Sequence, residues 1–574
     1  MKNLKTTKRC TSQLTIGAIV LCSALSACGH NQTERRQAPA QVKLSNGASS
    51  PPIAEVSVSE DVSTSTANTE QTRQNLKQTA GKSISTNAEA YMTSRAVAQP
   101  ATMVMPPVQH GDRYADIKSN HVLSVRDQAV STFSLDVDTS SYAVVRRHIQ
   151  HGQLPPANAV RVEELINYFN YRYPVAKDEK HPFAFETELS TAAWNQNRQI
   201  LRISLAAWKQ PVDTLPASNL VFLVDVSGSM QAADKLPLLK SSLKLLARQM
   251  RAQDSVSLVT YAGSSAVVLE PTTGDNKKKI LDAIDSLGAG GGTHGAAGLK
   301  DAYRLAAEHK LKDGINRVIL ATDGDFNVGM SNTDELVDFI SKKREEGISL
   351  TTLGFGQGNY NDHLMEQLAD KGDGNNAYID TLSEAQKVLM EQVGATLYTV
   401  AKDAKVQVEF NPAVVAEYRL IGYENRLLRE QDFNNDKIDA GDIGAGHTIT
   451  ALYEIALHGS GGERLATRRY SAPPDNTATH QGELAWVKLR YKARGQANSQ
   501  LLEHKVNLDA QQIASVDMKF ASAVAAWGDW LRQPQDSNYN SKEILTLAEA
   551  GRGEDKHGYR AEFIQLVKLS SMMR

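Results

Sequence analysis

Leu220-Val221-Phe222-Leu223-Val224-Asp225-Val226-Ser227-Gly228-Ser229 sets five consecutive apolar residues against an abrupt polar end. A short unbroken apolar run marks a parallel strand buried on both faces, where no alternation is needed. The pattern outward from it keeps switching period. A helix is predicted over 236–250, a strand over 256–261, and helices over 277–287 and 296–308. A strand over 317–321, a helix over 334–344, a strand over 348–355, a helix over 361–369 and a short strand over 377–379 complete the series. Strands alternating with helices predict an α/β fold with a doubly wound, mainly parallel, Rossmann-like sheet. Ligands of such sheets sit beyond the carboxyl ends of the strands.

Three features fall at those ends. Asp225-x-Ser227-x-Ser229 follows the first strand, Thr293 lies in the glycine-rich loop 288–298, and Asp323 closes the strand 317–321. Together they resemble the metal-ion-dependent adhesion site of the von Willebrand factor type A family, and the resemblance covers about residues 218–395. It implies that Ser227, Ser229 and Thr293 coordinate a Mg²⁺ (or Mn²⁺ or Ca²⁺) directly, while Asp225 and Asp323 act largely through water. The residue types suit that chemistry, because Mg²⁺ demands oxygen ligands in near-octahedral geometry and keeps some of its waters. An ion touched by few carboxylates stays electrophilic, so an Asp or Glu from a partner protein can complete its shell. The competing account makes Asp225 to Ser229 ordinary helix caps; it leaves Thr293 and Asp323 unexplained.

Other motifs carry less. Gly290-Gly291-Gly292-Thr293-His294-Gly295 matches G-x-G-x-x-G, but it follows a predicted helix, whereas a dinucleotide fingerprint must follow a strand. No nucleotide is expected. His294 is read as a loop-lining side chain, because a hard cation prefers oxygen. Asp432-x-Asn434-x-Asp436 begins like a calcium loop, yet Lys437 and Ile443 stand where glycine and glutamate should be. Asp136-x-Asp138-x-Ser140 resembles a phosphatase aspartate pair, and Ser140 or Ser141 capping the next helix is the simpler account. None of the 14 histidines falls in H-E-x-x-H, and neither G-x-S-x-G nor a P-loop occurs. The chain is therefore read as a binding protein and not an enzyme. The alternative, a metal-dependent hydrolase or an accessory subunit of one, would need Asp325 as its general base.

The N-terminus reads as an export signal. Lys2, Lys5, Lys8 and Arg9 precede an apolar stretch over 14–24, which is too short to span a bilayer. It ends in Leu25-Ser26-Ala27-Cys28, a bacterial lipobox by resemblance, whose cysteine is acylated after cleavage. The cysteines are Cys10, Cys22 and Cys28, so cleavage leaves a single thiol, the one to be acylated. Gly29 in place of an aspartate points to the outer membrane. Residues 28–118 are rich in Ser, Thr, Gln, Asn and Ala, and are read as a tether with a root-mean-square reach of roughly 50 Å. The net charge of -2 gives no field to attract nucleic acid.

The predicted organisation is a leader (1–27), the tether (28–118), an α/β region (119–215), the metal-binding domain (216–397) and a β-rich and helical region (398–574). The few strands before residue 210 are expected to be completed by those after 400, which would make the metal-binding domain an insertion. Phe520, Val524, Trp527 and Leu531 share one helical stripe and are assigned to a core. A single helix over 383–397 is expected to end the inserted domain and couple it to its surroundings.

Four segments extend the resemblance over nearly all of the folded chain. They are Phe133-Ser134-Leu135-Asp136-Val137-Asp138-Thr139, Gly152-Gln153-Leu154-Pro155-Pro156, residues 322–329 and Gly441-Asp442-Ile443-Gly444-Ala445-Gly446-His447. They resemble the YfbK-like lipoproteins of bacteria. The resemblance implies an envelope lipoprotein, anchored through Cys28, whose metal site binds a protein partner for adhesion or assembly.

Overall fold

Every residue of the strand Ser218–Asp225 is buried, and its side chains divide between two helical layers. Leu220, Phe222 and Val224 join one core with Leu239, Leu243, Ile280 and Ile284. Val221 and Leu223 join another with Leu299, Tyr303, Leu336 and Leu368. A strand covered on both faces has no solvent side to alternate toward, so its sequence is apolar throughout. The computed structural model describes residues 111–574 except 294, 325–332, 467–479, 481, 510–512 and 533–538. The leader, Cys28 and nearly all of the tether lie outside the described residues.

The inserted domain has a six-stranded sheet ordered Asn376–Ile379, Ser349–Phe355, Ile315–Thr322, Ser218–Asp225, Ser255–Tyr261 and Ser265–Thr273. All pairings are parallel except the last, an antiparallel edge. This is the α/β class expected from the sequence. The edge strand was not expected: it is half exposed and carries Pro271, which only an edge tolerates.

The strands on either side of the insertion share two antiparallel sheets. One is ordered Leu123–Ser124, Val415–Ile421, Thr448–Leu457, Asn195–Ala207, Phe183–Ala192. The other is ordered Gly441–Gly444, Thr399–Phe410, Glu483–Ala493, Gln500–Asn507, with Val130–Ser134 also paired to Thr399–Phe410. The sheets pack through Phe133, Leu201, Ile203, Val408 and Tyr453, and Phe410 stacks on Tyr418 at 4.4 Å. A helical layer of Ser140–Gln150, Val162–Asn167, Val516–Arg532, Ser541–Ala550 and Tyr559–Met572 closes around Phe520, Val524 and Trp527. Trp527 donates its indole N–H to Ser570 Oγ at 3.1 Å, so the polar edge of the largest fully buried side chain is satisfied.

The chain crosses into and out of the inserted domain side by side. Gly446 N donates to Trp208 O (2.9 Å), Ala445 N to Tyr398 O (2.8 Å) and Ala207 N to His447 O (2.8 Å). The helix expected over 383–397 is in fact three pieces: Leu382–Gln386, a π turn Lys387–Glu391, and Val393–Leu397. The widened turn carries Lys387 inward, where its ammonium donates to Tyr168 O at 2.6 Å and lies over the Tyr168 ring. A second correction concerns the Ser140–Gln150 helix. Neither Ser140 nor Ser141 is its cap; Thr139 is, without a side-chain hydrogen bond. The helix-end amide of Ser141 is satisfied from another helix, by Glu164 Oε2 at 2.8 Å.

Candidate metal site

Asp225 ends its strand fully buried, and three donors converge on its carboxylate. Oδ1 accepts from Ser227 N at 2.8 Å, and Oδ2 accepts from Tyr261 OH at 3.1 Å and Thr322 Oγ1 at 3.0 Å. Burial pushes its carboxyl up from the ordinary value; the Ser227 and Thr322 bonds pull down and the Asp323 charge adds to the rise. A carboxylate so occupied is fixed in place with few lone pairs to spare, which suits action through water. The turn after it leads into a short 3₁₀ segment, Gly228–Gln231, to which Ser227 gives no side-chain cap bond. Instead Ser227 Oγ and Ser229 Oγ lie 3.0 Å apart. The account that made these residues helix caps is not what the structure has.

The glycine loop that carries Thr293 is brought alongside by backbone pairing. Gly290 N donates to Val226 O at 2.8 Å and Gly228 N to Gly291 O at 3.1 Å, so the glycine loop is zipped to the Asp225–Ser229 turn. Thr293, two residues on, is half-buried. His294 lies outside the described residues, as does Asp325, the base that the hydrolase alternative would require.

Asp323 follows Ile315–Thr322 and is 1% exposed. Its Oδ2 accepts from Lys235 Nζ at 2.8 Å. The adjoining Gly324 has φ +98, and a Cβ there would run into Tyr360 and Asn361. The Asp323 turn therefore leans on the loop 356–361. That loop is held from outside the domain: Asp112 Oδ1 accepts from Gly358 N (2.9 Å) and Tyr360 N (3.1 Å), and Arg147 donates to Gly356 O at 3.3 Å. Arg147 and Asp112 are themselves ion-paired.

Sequence reasoning missed Lys235, Tyr261 and Thr322. Lys235 had a signal. A lysine immediately before the helix Leu236–Gln249 opposes the positive end of the helix dipole, and such a placement asks for a nearby anion. Tyr261 read only as the last residue of its strand, and Thr322 only as the residue after the strand 317–321.

The two remaining acidic motifs have structural partners. Asp136 Oδ1 accepts from Asp138 N at 2.9 Å and its Oδ2 pairs with Arg426 at 3.1 Å, while Asp138 accepts from Asn376 N at 3.1 Å. They belong to a buried network in which Arg161 pairs with Glu164 and Asp362, and Arg426 with Glu366 and Asp370. That network joins the inserted domain's helix Asp362–Lys371 to the flanking region. Asp432 is taken by Arg429 at 2.9 Å and Asp436 by Ser499 N at 3.2 Å, which is turn chemistry.

The donor set at the sheet's end is all oxygen, two buried carboxylates and two neighbouring hydroxyls, with Thr293 two residues beyond the paired Gly291. It fits a hard divalent ion. Among the described residues no group of three or more His, Cys, Asp or Glu side chains is placed to hold a metal, so a zinc-type centre has no counterpart there.

Comparison with known proteins agrees with the architecture. Residues 219–392 match the von Willebrand factor type A domain, residues 108–202 match the family described as von Willebrand factor, and residues 395–573 match the C-terminal region of the uncharacterized protein YfbK. The chain is 47% identical over 493 residues to YfbK of Escherichia coli K12, covering 84% of each. It is 30% identical over 200 residues to sll0103 of Synechocystis, covering 35% of this chain and 46% of that one. Among solved structures, a von Willebrand factor type A protein from Catenulispora acidiphila aligns with 18% identity and a TM-score of 0.38, covering 67% of this chain and 89% of its own.

Proposed function

This chain belongs to the YfbK family of von Willebrand factor type A proteins, and we propose that it binds a protein partner through a divalent metal held at the carboxyl ends of the parallel strands. The type A domain gives it a protein-interaction role in general terms. The finer reading rests on one observation: buried Asp225 and Asp323 close adjacent strands beside the Ser227–Ser229 hydroxyl pair. Ser227, Ser229 and Thr293 would hold the ion, with Asp225 and Asp323 supporting it through water. When bound, the ion supplies an electrophile for a carboxylate oxygen. Asp225 is kept in place by Tyr261, Thr322 and its own turn, so the protein's part is to orient oxygens and leave one position open. The lipobox reading of Cys28 supports an envelope location, anchored to the outer membrane by lipid.

Titrating Mg²⁺ and Mn²⁺ calorimetrically into the protein and into an Asp323→Ala variant tests the metal reading. Micromolar-to-millimolar binding that disappears in the variant is the expected result. Absence of binding by the unaltered protein would remove the mechanism. Metabolic labelling with a palmitate analogue, lost in Cys28→Ser, is expected for the anchor; labelling that persists would refute it.

A further inference from the structure

Lys235 is 7% exposed, a costly place for an ammonium, since a buried charge gives up its hydration and needs an opposite charge to offset the loss. The helix dipole makes the position worse. Two features show that the seat is nevertheless built for it. Its Nζ reaches Asp323 Oδ2 at 2.8 Å, a carboxylate with no exposed side-chain surface. Its stem runs along Gly356, whose φ of +71 is the left-handed region, and a Cβ on Gly356 would occupy the space of Lys235 Cγ, Cδ and Cε. A side chain on that turn would close the channel through which the lysine reaches Asp323.

We propose that Lys235 is a resident counter-cation of the metal site: it neutralises Asp323 while the metal is away, and a divalent ion binds at the expense of that ion pair. The proposal rests on the metal reading given above. Lys235 places a cation on one of the site's two buried carboxylates in the metal-free protein. With it, the site folds unloaded and takes up metal less tightly. The lysine also leaves the loaded site one positive charge richer than its two aspartates alone would, which favours an anionic ligand over a neutral one.

The test uses the full chain with Lys235→Met and Lys235→Gln, the second keeping a hydrogen-bond donor for Asp323 in case the first fails to fold. Mg²⁺ and Mn²⁺ affinities are read by calorimetry, and the metal-induced rise in unfolding temperature by circular dichroism. Removing a like charge held on Asp323 is expected to tighten binding by about tenfold or more and to enlarge the metal-induced rise in Tm. A variant that folds only with metal present gives the same support. Unchanged or weaker affinity in the folded variants, with the unaltered protein binding normally, overturns the role of Lys235 alone. No binding by any of the three overturns both the metal reading and this one.

Discussion

Arg161→Met should separate two parts of the molecule that otherwise unfold together. Arg161 is 2% exposed and pairs with Glu164 and Asp362, lies 3.4 Å from Glu366 and donates to Ser140 Oγ at 3.0 Å. Glu164 and Ser140 belong to the flanking region, Asp362 and Glu366 to the inserted domain. Methionine fills much of the volume but takes the cation from Glu164 and Asp362 in a buried junction, while Glu366 keeps Arg426, and breaking a buried pair in this way costs about 3–5 kcal/mol. The cost depends on pH. Burial, opposed by Arg161, pushes Glu164 up to about 7, and losing Arg161 raises it further. A group whose folded-state pKa is raised withholds stability as pH climbs through that value, so the penalty is largest above pH 7 and relieved below it. The assay is built into the sequence: Trp194, Trp208, Trp486, Trp527 and Trp530 all lie outside the inserted domain. Tryptophan fluorescence therefore follows the flanking region, and circular dichroism follows every helix. Urea transitions that coincide in the unaltered protein should split in the variant, more at about pH 8 than at about pH 5. Coincident transitions with an unchanged midpoint at both pH values would refute the reasoning.

Lys387, pulled down to about 7 from 10.5 by burial, is charged in the unfolded chain and neutral in the folded one between those values. It contributes stability that is present above pH 10.5 and lost as pH falls to 7, so Lys387→Met should remove a slope of up to about 1.4 kcal/mol per pH unit from urea midpoints taken across that window. Glu163 behaves oppositely: burial first, then the Glu424 and Glu164 charges, push it up to about 8 from 4.5. Its contribution is complete below pH 4.5 and lost on rising through 8; Glu163→Gln should flatten that decline, and an identical decline in the variant would exclude Glu163 as its source. Gly356→Ala combines a left-handed backbone with a collision against the Lys235 stem, and should cost about 1–3 kcal/mol. A double-mutant cycle with Lys235→Ala, which removes that stem, should show the two changes coupled; strictly additive losses would mean the lysine does not run there.

The legible part of this protein was the part governed by local periodicity and by chemistry at strand ends. Leu220 to Val224 announced a central strand because burial on two faces leaves no polar position. Asp225, Ser227, Ser229, Thr293 and Asp323 could be picked out because each follows a recognisable strand or sits in a glycine loop, and the structure pairs the glycine loop with the Asp225–Ser229 turn. The illegible part depended on distant pairing. Ser265–Thr273 has a half-exposed edge pattern that resembles a loop. The break at Lys387 is invisible along the chain, since only Tyr168, more than two hundred residues earlier, explains a lysine turned inward. Asp136 and Asp138 mimic a catalytic pair, and only Arg426 and Asn376, far along the sequence, reveal them as struts.

The tripeptide Ala445-Gly446-His447, which holds both chain crossings, has a mechanical consequence. Tension applied to the inserted domain leaves it along Asn195–Ala207 and Thr399–Phe410 together. These strands belong to different sheets, and each has hydrogen-bonded neighbours on both sides. A pull along a strand loads its ladder in shear, so many bonds must fail at once and none can be peeled singly. With two such ladders sharing the load, the junction yields only when both sheets do.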